Sequence, residues 1–424
     1  MLGKWGWRLR RIGRQLWFRA TIFSVLGVAT ALLAWAVKPY IPAGLATRIG
    51  ADAVDNVLGI IASSMLAVTT FSLSIMVSAY GSATTNVTPR ATSLLDEDTT
   101  TQNALATFIG SFLFSLVGII ALSTGAYGDQ GRVVMFGVTL FVIALIVWTL
   151  LRWISHLSTL GRLGQTTDRV ENAAVRALRD RQAHPNLGAS PLPPADQWPA
   201  HAVACHAAEV GYVQHIDMPA LAARVQAEQA RIYVLAPPGT FVDPTRPLAL
   251  AVGLSEEDLA AIPGAFTLGR RRSFEQDPRF GICVLSEIAQ RALSAATNDP
   301  GTAIDLIGRS VRVLGTLAEP AEPSAADPAC ARLYVADPTI EELLEDFYAP
   351  IARDGAALLE VGIRLQKALA SLARLDDARF GTAARHLAAR ALRHADAAMR
   401  LPEDRALLRA AAETAWQADA WRLS

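Results

Sequence analysis

Residues 57–81 read VLGIIASSMLAVTTFSLSIMVSAYG, and the fold class turns on them. The stretch carries no charge and is long enough to cross a bilayer as a helix, for which about 20 apolar residues suffice. It is not uniformly apolar, because Ser63, Ser64, Thr69, Thr70, Ser72, Ser74 and Ser78 lie within it. At ~100° per residue, Ser63, Ala67, Thr70, Ser74, Ser78 and Gly81 share one face, with Leu66, Leu73, Met76 and Val77 off it. Such a small, hydroxyl-bearing stripe has two readings. Its residues pack closely against neighbouring helices or bond back to their own carbonyls, or a ring of such stripes in an oligomer lines a polar path.

Three further spans surround this one. Ala20–Val37 precedes it, and Ala104–Thr124 and Val133–Leu151 follow, making a four-helix membrane domain over residues 20–155. A chain that is 52% hydrophobic and 18% charged fits an integral membrane protein with a soluble portion. In the third span, Ser111, Ser115 and Gly118 put small residues on one side, a signature of close packing in lipid. Residues 1–19 mix Trp5, Trp7 and Trp17 with Lys4, Arg8, Arg10, Arg11, Arg14 and Arg19. That pattern predicts an amphipathic interfacial helix with tryptophans at headgroup depth. Ala34-Trp35-Ala36 also matches a signal-peptidase site, but the basic lead is long and other spans follow, so a retained span is expected. Arginine crowds the N-terminus and the segment after the fourth span (Arg152, Arg162, Arg169), while loops 38–55 and 125–132 are poor in it. The positive-inside rule then places both termini in the cytoplasm. Net charge is zero, which gives no global case for nucleic acid, and three cysteines without a CxxC pair suit a reduced compartment.

Beyond the membrane domain, no proline interrupts residues 133–184. Either the fourth span continues as one rod, about 75 Å long at ~1.5 Å per residue, or it breaks near Gly161-Arg162-Leu163-Gly164. Residues 156–199 are expected as helical extension and Pro-rich linker, the linker being HPNLGASPLPPADQWP at 184–199. A small α+β domain is expected over 200–272. Its strands are Gly211–Ile216, Arg231–Ala236 and Leu248–Val252, with a helix from Asp217 to Ala230 and a capping box at Ser255–Asp258. Residues 273–424 read as a helical cytoplasmic region, with Asp277-Pro278 and Asp299-Pro300 each pairing an N-cap with proline at the first helical position.

Few stretches carry chemistry. Phosphate-binding, dinucleotide, serine-hydrolase, zinc-protease and EF-hand patterns do not occur, so no catalytic residue and no cofactor is assigned and an enzyme is not expected. His201, Cys205, His206 and His215 fit no zinc spacing, and no metal is expected. Arg270, Arg271 and Arg272, near Glu275 and Asp277, read as a solvated turn or intersubunit contact, or as a site for an anion or lipid headgroup. Asn298 and Asp299 read as a helix corner or as a polar ligand loop.

Several stretches resemble a bacterial family of predicted membrane proteins, domain of unknown function 2254. They are Thr88-Pro89-Arg90 with Gln102, Leu105, Phe108, Gly110, Phe112 and Phe114, then Gly211-Tyr212-Val213-Gln214 with Ile216-Asp217, and Gly239 with Phe241-Val242. The most specific is Phe274-Glu275-Gln276-Asp277-Pro278 with Phe280-Gly281, running on to Arg291-Ala292-Leu293-Ser294 and Asn298-Asp299-Pro300 with Thr302-Ala303. Ala295 stands where the family pattern has proline, and Thr245-Arg246 where it has glycine. The resemblance covers most of residues 60–310 and implies a multi-span bacterial inner-membrane protein with a cytoplasmic C-terminal region, without naming catalytic residues. The expectation is therefore a homo-oligomer in the lipid bilayer, acting as an ion or small-solute channel lined by Ser63, Thr70, Ser74 and Ser78. The alternative is a non-transporting scaffold or sensor that binds a protein or lipid through its cytoplasmic part.

Overall fold

The computed structural model describes residues 51–86, 88–91, 99–123, 128–157, 163–320 and 330–417, together with Thr21, Val25 and Ala29. The basic segment at 1–19 lies outside the described residues, as does nearly all of the span expected at Ala20–Val37. The chain divides into two compact units between Thr166 and Thr167.

Over residues 51–157, the described helices of the first unit are α1 (Ala51–Asn86), α2 (Thr99–Ser123) and α3 (Gly128–Leu157). Within them Val54–Gly81, Thr100–Ser123 and Val134–Leu157 are long and apolar enough to cross a membrane. Val54, Leu58, Ile61, Met65, Ser72 and Ala79 recur every three or four residues and bury one face of α1. Val54 and Leu58 pack with Phe114 and Met135, whereas Ile61 and Met65 pack with Ala104, Phe108, Ile146 and Trp153. This order of contacts runs α1 and α3 parallel, with α2 antiparallel between their ends. Ser111 and Ser115 are buried, and a Cβ on Gly118 would stand 3.0 Å from Leu58 Cδ1. Small residues here let the backbones approach.

The connection between the spans read at 57–81 and Ala104–Thr124 is shorter than the gap between them. α1 runs on to Asn86, and α2 already begins at Thr99. No glycine or proline follows Gly81 until Pro89, so nothing ends the helix earlier. Thr88–Ala91 then forms a turn closed by the Ala91 amide on the Thr88 carbonyl at 3.0 Å. Residues 158–162, where the fourth span either continues or breaks, lie outside the described residues.

The second unit opens within α4 (Leu163–Ala183), whose Val170, Ala173, Ala174, Ala177 and Leu178 are buried. Gly281 leaves room for it: a Cβ there would lie 2.6 Å from the Ala174 Cβ. On the polar side Glu171 bonds Arg309 at 2.7 Å and Arg312 at 2.8 Å. After α4 come β1 (Ser190–Pro191), β2 (Val203–His206), β3 (Gly211–Ile216), α5 (Met218–Ala222), β4 (Arg231–Val234), β5 (Phe241–Val242), β6 (Pro247–Val252), α6 (Glu256–Ala261) and β7 (Phe266–Gly269). Six helices follow with one strand among them: α7 (Pro278–Leu293), α8 (Pro300–Gly315), β8 (Leu333–Val335), α9 (Ile340–Asp354), α10 (Leu359–Leu375), α11 (Asp377–Ala398) and α12 (Pro402–Trp416). One sheet has the order β1-β8-β4-β6-β2, parallel across β1-β8-β4 and antiparallel beyond; the other, β5-β3-β7, is antiparallel.

Three expectations change here. The Pro-rich stretch read as a linker carries β1, which pairs Ser190 with Tyr334 and Pro191 with Val335. Proline is tolerated because β1 is an edge strand. The region read as helical supplies β8, whose Leu333 and Val335 enter one core with Val213, Ile216, Ile232, Val234, Leu248 and Phe266. The helix expected from Asp217 to Ala230 ends at Ala222. In the helical layer, Tyr348 is fully buried and its hydroxyl shares a hydrogen bond of 2.7 Å with Ser310. Gln366, also buried, donates to the Ala388 carbonyl at 2.9 Å and accepts from Trp416 Nε1 at 3.3 Å, tying α10 to α11 and α12.

Candidate functional site

In the first unit the hydroxyl stripe of α1 faces outward. Ser63, Thr70, Ser74 and Ser78 are exposed, and the exposed large residues Ile60, Leu66, Phe71, Leu73 and Val77 flank them. Three of the hydroxyls bond back along their own helix: Ser63 to the Gly59 carbonyl, Thr70 to Leu66 and Ser74 to Thr70, each at 3.0 Å. A hydroxyl so satisfied can face lipid or another helix without an orphaned donor.

The hydroxyl that the inward face does use is Ser72. It accepts a hydrogen bond from Trp153 Nε1 at 2.9 Å, with both residues buried. Nearby, Thr101 Oγ1 lies 3.4 Å from His156 Nε2, and the Trp153 and His156 rings are 5.7 Å apart. A signal for Ser72 existed, since counting on from Leu58 and Met65 by sevens reaches it.

In the second unit, polar side chains gather around the Phe274–Gly281 motif. Asp277 caps α7, accepting from the Arg279 amide at 3.2 Å, with Pro278 at the first helical position. Only 2% exposed, it is gripped by the Arg272 fork, Nε to Oδ2 at 2.7 Å and Nη2 to Oδ1 at 3.0 Å. The same guanidinium lies 5.1 Å from the Phe280 ring centroid and donates to Cys283 Sγ at 3.6 Å. Gln276 accepts from the Ile216 amide through Oε1 at 2.9 Å and from Arg181 Nη2 through its carbonyl at 3.0 Å. Arg181 also pairs with Asp337 at 2.7 Å. Arg279 forks onto Asp346 at 2.7 and 3.0 Å and reaches Glu342 at 2.7 Å. The turn Pro237-Pro238-Gly239 rests on the carboxylate. Gly239 has φ +94°, and a Cβ there would stand 2.3 Å from Asp277 Oδ2.

These groups border a cleft of about 350 Å³, lined by Arg181, Arg272, Arg279, Asp277, Asp337 and Glu342 and walled by Pro237, Pro238, Pro278 and Pro338. Burial raises the pKa of Asp277, while the Arg272 guanidinium and the amides of Arg279 and Phe280 act against it. Burial also pushes the Cys283 thiol up to about 11. Below that pH the thiol keeps its proton, so in the folded chain Cys283 is expected to react with iodoacetamide far more slowly than a free thiol at pH 8, and to react promptly in denaturant. Mass spectrometry of the labelled peptide checks this; equal rates in both states would place the thiol at the surface.

The three arginines expected to act together part company. Arg270 and Arg271 are exposed, and among the described residues neither forms an ion pair; the Arg271 carbonyl accepts from Gln214 Nε2 at 2.7 Å. Arg272 turns inward to Asp277. Asn298 is an exposed residue with φ 47°, and Asp299 caps α8 by accepting from the Thr302 amide at 3.0 Å. The Thr302 hydroxyl and amide hold the Asp299 carboxyl below its ordinary pKa. Cys205 and His206 lie on β2 and His215 on β3, in different sheets, and among the described residues no three His, Cys, Asp or Glu side chains gather as a metal site requires. The cleft itself was missed at the level of sequence, because Arg181 and Asp337 are 156 residues apart.

A unit of apolar helices long enough to cross a bilayer, carried on one chain with an α+β and helical unit, defines a membrane protein. The chain belongs to the family described as Predicted membrane protein (DUF2254), whose profile matches residues 13–371. An uncharacterized protein of Mycobacterium bovis is 26% identical over 330 residues, covering 71% of this chain and 61% of that protein. Uncharacterized proteins of two Mycobacterium tuberculosis strains match to the same extent. The chain thus spans about 61% of the length of these curated relatives. No solved structure matches it.

Proposed function

We propose that the protein is a homo-oligomeric channel or transport path for ions or small solutes in the bacterial inner membrane. In this reading the unit from Thr167 onward is its cytoplasmic assembly and gating part. One observation carries the proposal: the hydroxyl stripe of α1 points out of its own protomer, where further copies can enclose it around an axis. The apolar stretches are read as four spans, with Ala20–Val37 as the first, and the distribution of arginine supports two cytoplasmic termini. The partners are the bilayer and other copies of the chain, not nucleic acid, and no catalytic step, cofactor or metal is invoked.

The test is flux from proteoliposomes under varied voltage and pH, with the particle mass measured in detergent. Thr70→Leu combined with Ser74→Leu fills the stripe and is expected to reduce flux to the level of empty vesicles while the mass stays that of the oligomer. A strictly monomeric particle, or no wild-type flux above empty vesicles, would overturn the reading.

A second reading, a membrane-anchored scaffold or sensor that transports nothing, is favoured by the charged cleft of the second unit. It predicts that the leucine double variant keeps full activity in cells.

A further inference from the structure

The cleft beside the Phe274–Gly281 motif contains three guanidinium groups in about 350 Å³, and their hydrogen-bond inventory is uneven. A guanidinium carries five N–H donors. The bonds formed by Arg279 use one on Nε, one on Nη1 and one on Nη2, which leaves a second hydrogen on each Nη. Arg181 uses one on each Nη and leaves Nε and two others. The acceptors are less available. Asp277 is 2% exposed and saturated by Arg272 and the α7 amide, and Asp337 is divided between Arg181 and the Asn186 amide. Glu342 differs from both. Its side chain is 44% exposed, and it meets Arg279 with one oxygen while the other caps α9 by accepting from the Thr339 amide at 3.0 Å.

We propose that this cleft is a site for a phosphate-type anion, free or as a lipid headgroup, and that Glu342 occupies it in the unliganded state. The anion displaces the Glu342 carboxylate from Arg279 and takes the remaining N–H donors of Arg279 and Arg181. Planar guanidinium forks match phosphate oxygens in the same way as carboxylate oxygens, so the exchange keeps Arg279 paired. With Asp346 counted, four carboxylates meet the three guanidiniums, so the unliganded cluster holds no excess of positive charge. Affinity therefore depends on removing Glu342, not on a standing positive field. Arg279 stays anchored through Asp346, whose two oxygens hold Nε and Nη2 whether Glu342 is present or not. The exposed Arg270 and Arg271 are not part of the site.

Glu342→Gln provides the decisive test. Glutamine keeps the α9 capping box, because it too reaches back to the N-cap amide, but it removes the competing charge. Inorganic phosphate and pyrophosphate are titrated calorimetrically into the full chain held in nanodiscs of neutral lipid. Wild type is expected to bind. Glu342→Gln should bind about three- to fivefold tighter, the range of a partly exposed ion pair, and Arg279→Gln should lose binding, with Arg181→Gln weakened. In nanodiscs doped with phosphatidic acid, loss of phosphate binding identifies the headgroup as the occupant, and unchanged binding identifies a soluble anion. No heat with either anion on wild type and on Glu342→Gln would overturn the proposal. So would binding that Glu342→Gln leaves unchanged or weakens, or that survives Arg279→Gln.

Discussion

Replacing Asp277 with alanine is expected to destabilise the second unit by about 3–5 kcal/mol, the cost of leaving one member of a buried ion pair without the other. The carboxylate caps α7, receives both arms of Arg272 and supports the Pro237–Gly239 turn, so its loss is felt in three elements. Arg272, 22% exposed and stacked near Phe280, would keep its charge with only Cys283 beneath it. Pulse proteolysis of the full chain in detergent, across a urea series, reads the effect as earlier cleavage within 167–424. Changing both partners, Arg272→Met with Asp277→Leu, should recover most of the loss, since an apolar pair of similar volume leaves no unpaired charge. If Asp277→Ala and wild type were cleaved at the same urea concentration, the pair would be no more than a surface contact.

The second large effect is expected at Gly239. Alanine there carries a side chain at φ +94°, which costs about 1–2 kcal/mol. Its Cβ would also fall 2.3 Å from Asp277 Oδ2, which adds roughly 1–3 kcal/mol as the turn is pushed off the carboxylate. These two parts are separable. In an Asp277→Ala background the steric part disappears and the backbone part remains, so Gly239→Ala should cost clearly less there than in wild type. The same proteolysis series measures the coupling. Full additivity would mean that the turn does not rest on Asp277.

Features with local causes were legible in the sequence. Asp217, Ser255, Asp277 and Asp299 each precede a helix and bond an amide two or three residues on, a contact that depends only on neighbours. Gly211–Ile216 reads as a strand from its residues and is one. Where partners are distant, composition misled. β8 is three residues long and exists because it lies between β1 and β4, and β1 was hidden in a proline-rich run. The face of α1 that carries hydroxyls was fixed by periodicity, but its direction was not. Small residues suit close packing inside a protomer and between protomers equally well. Spacing by sevens from Leu58 and Met65 reaches Ser72, but its partner Trp153 lies 81 residues further along the chain. The cleft depends on ion pairs that bridge α4, α7 and α9, and no window of sequence contains them together.

The fit of Ala174 against Gly281 has a mechanical consequence. The buried side chains of α4 and its acids Asp168 and Glu171 are each matched to particular partners, Arg309 and Arg312 among them. The helix cannot roll, or slip by a residue, without losing all of those contacts together. From Thr167 onward, α4 and its partners therefore hold together as one block that ends at Arg181, on the cleft wall.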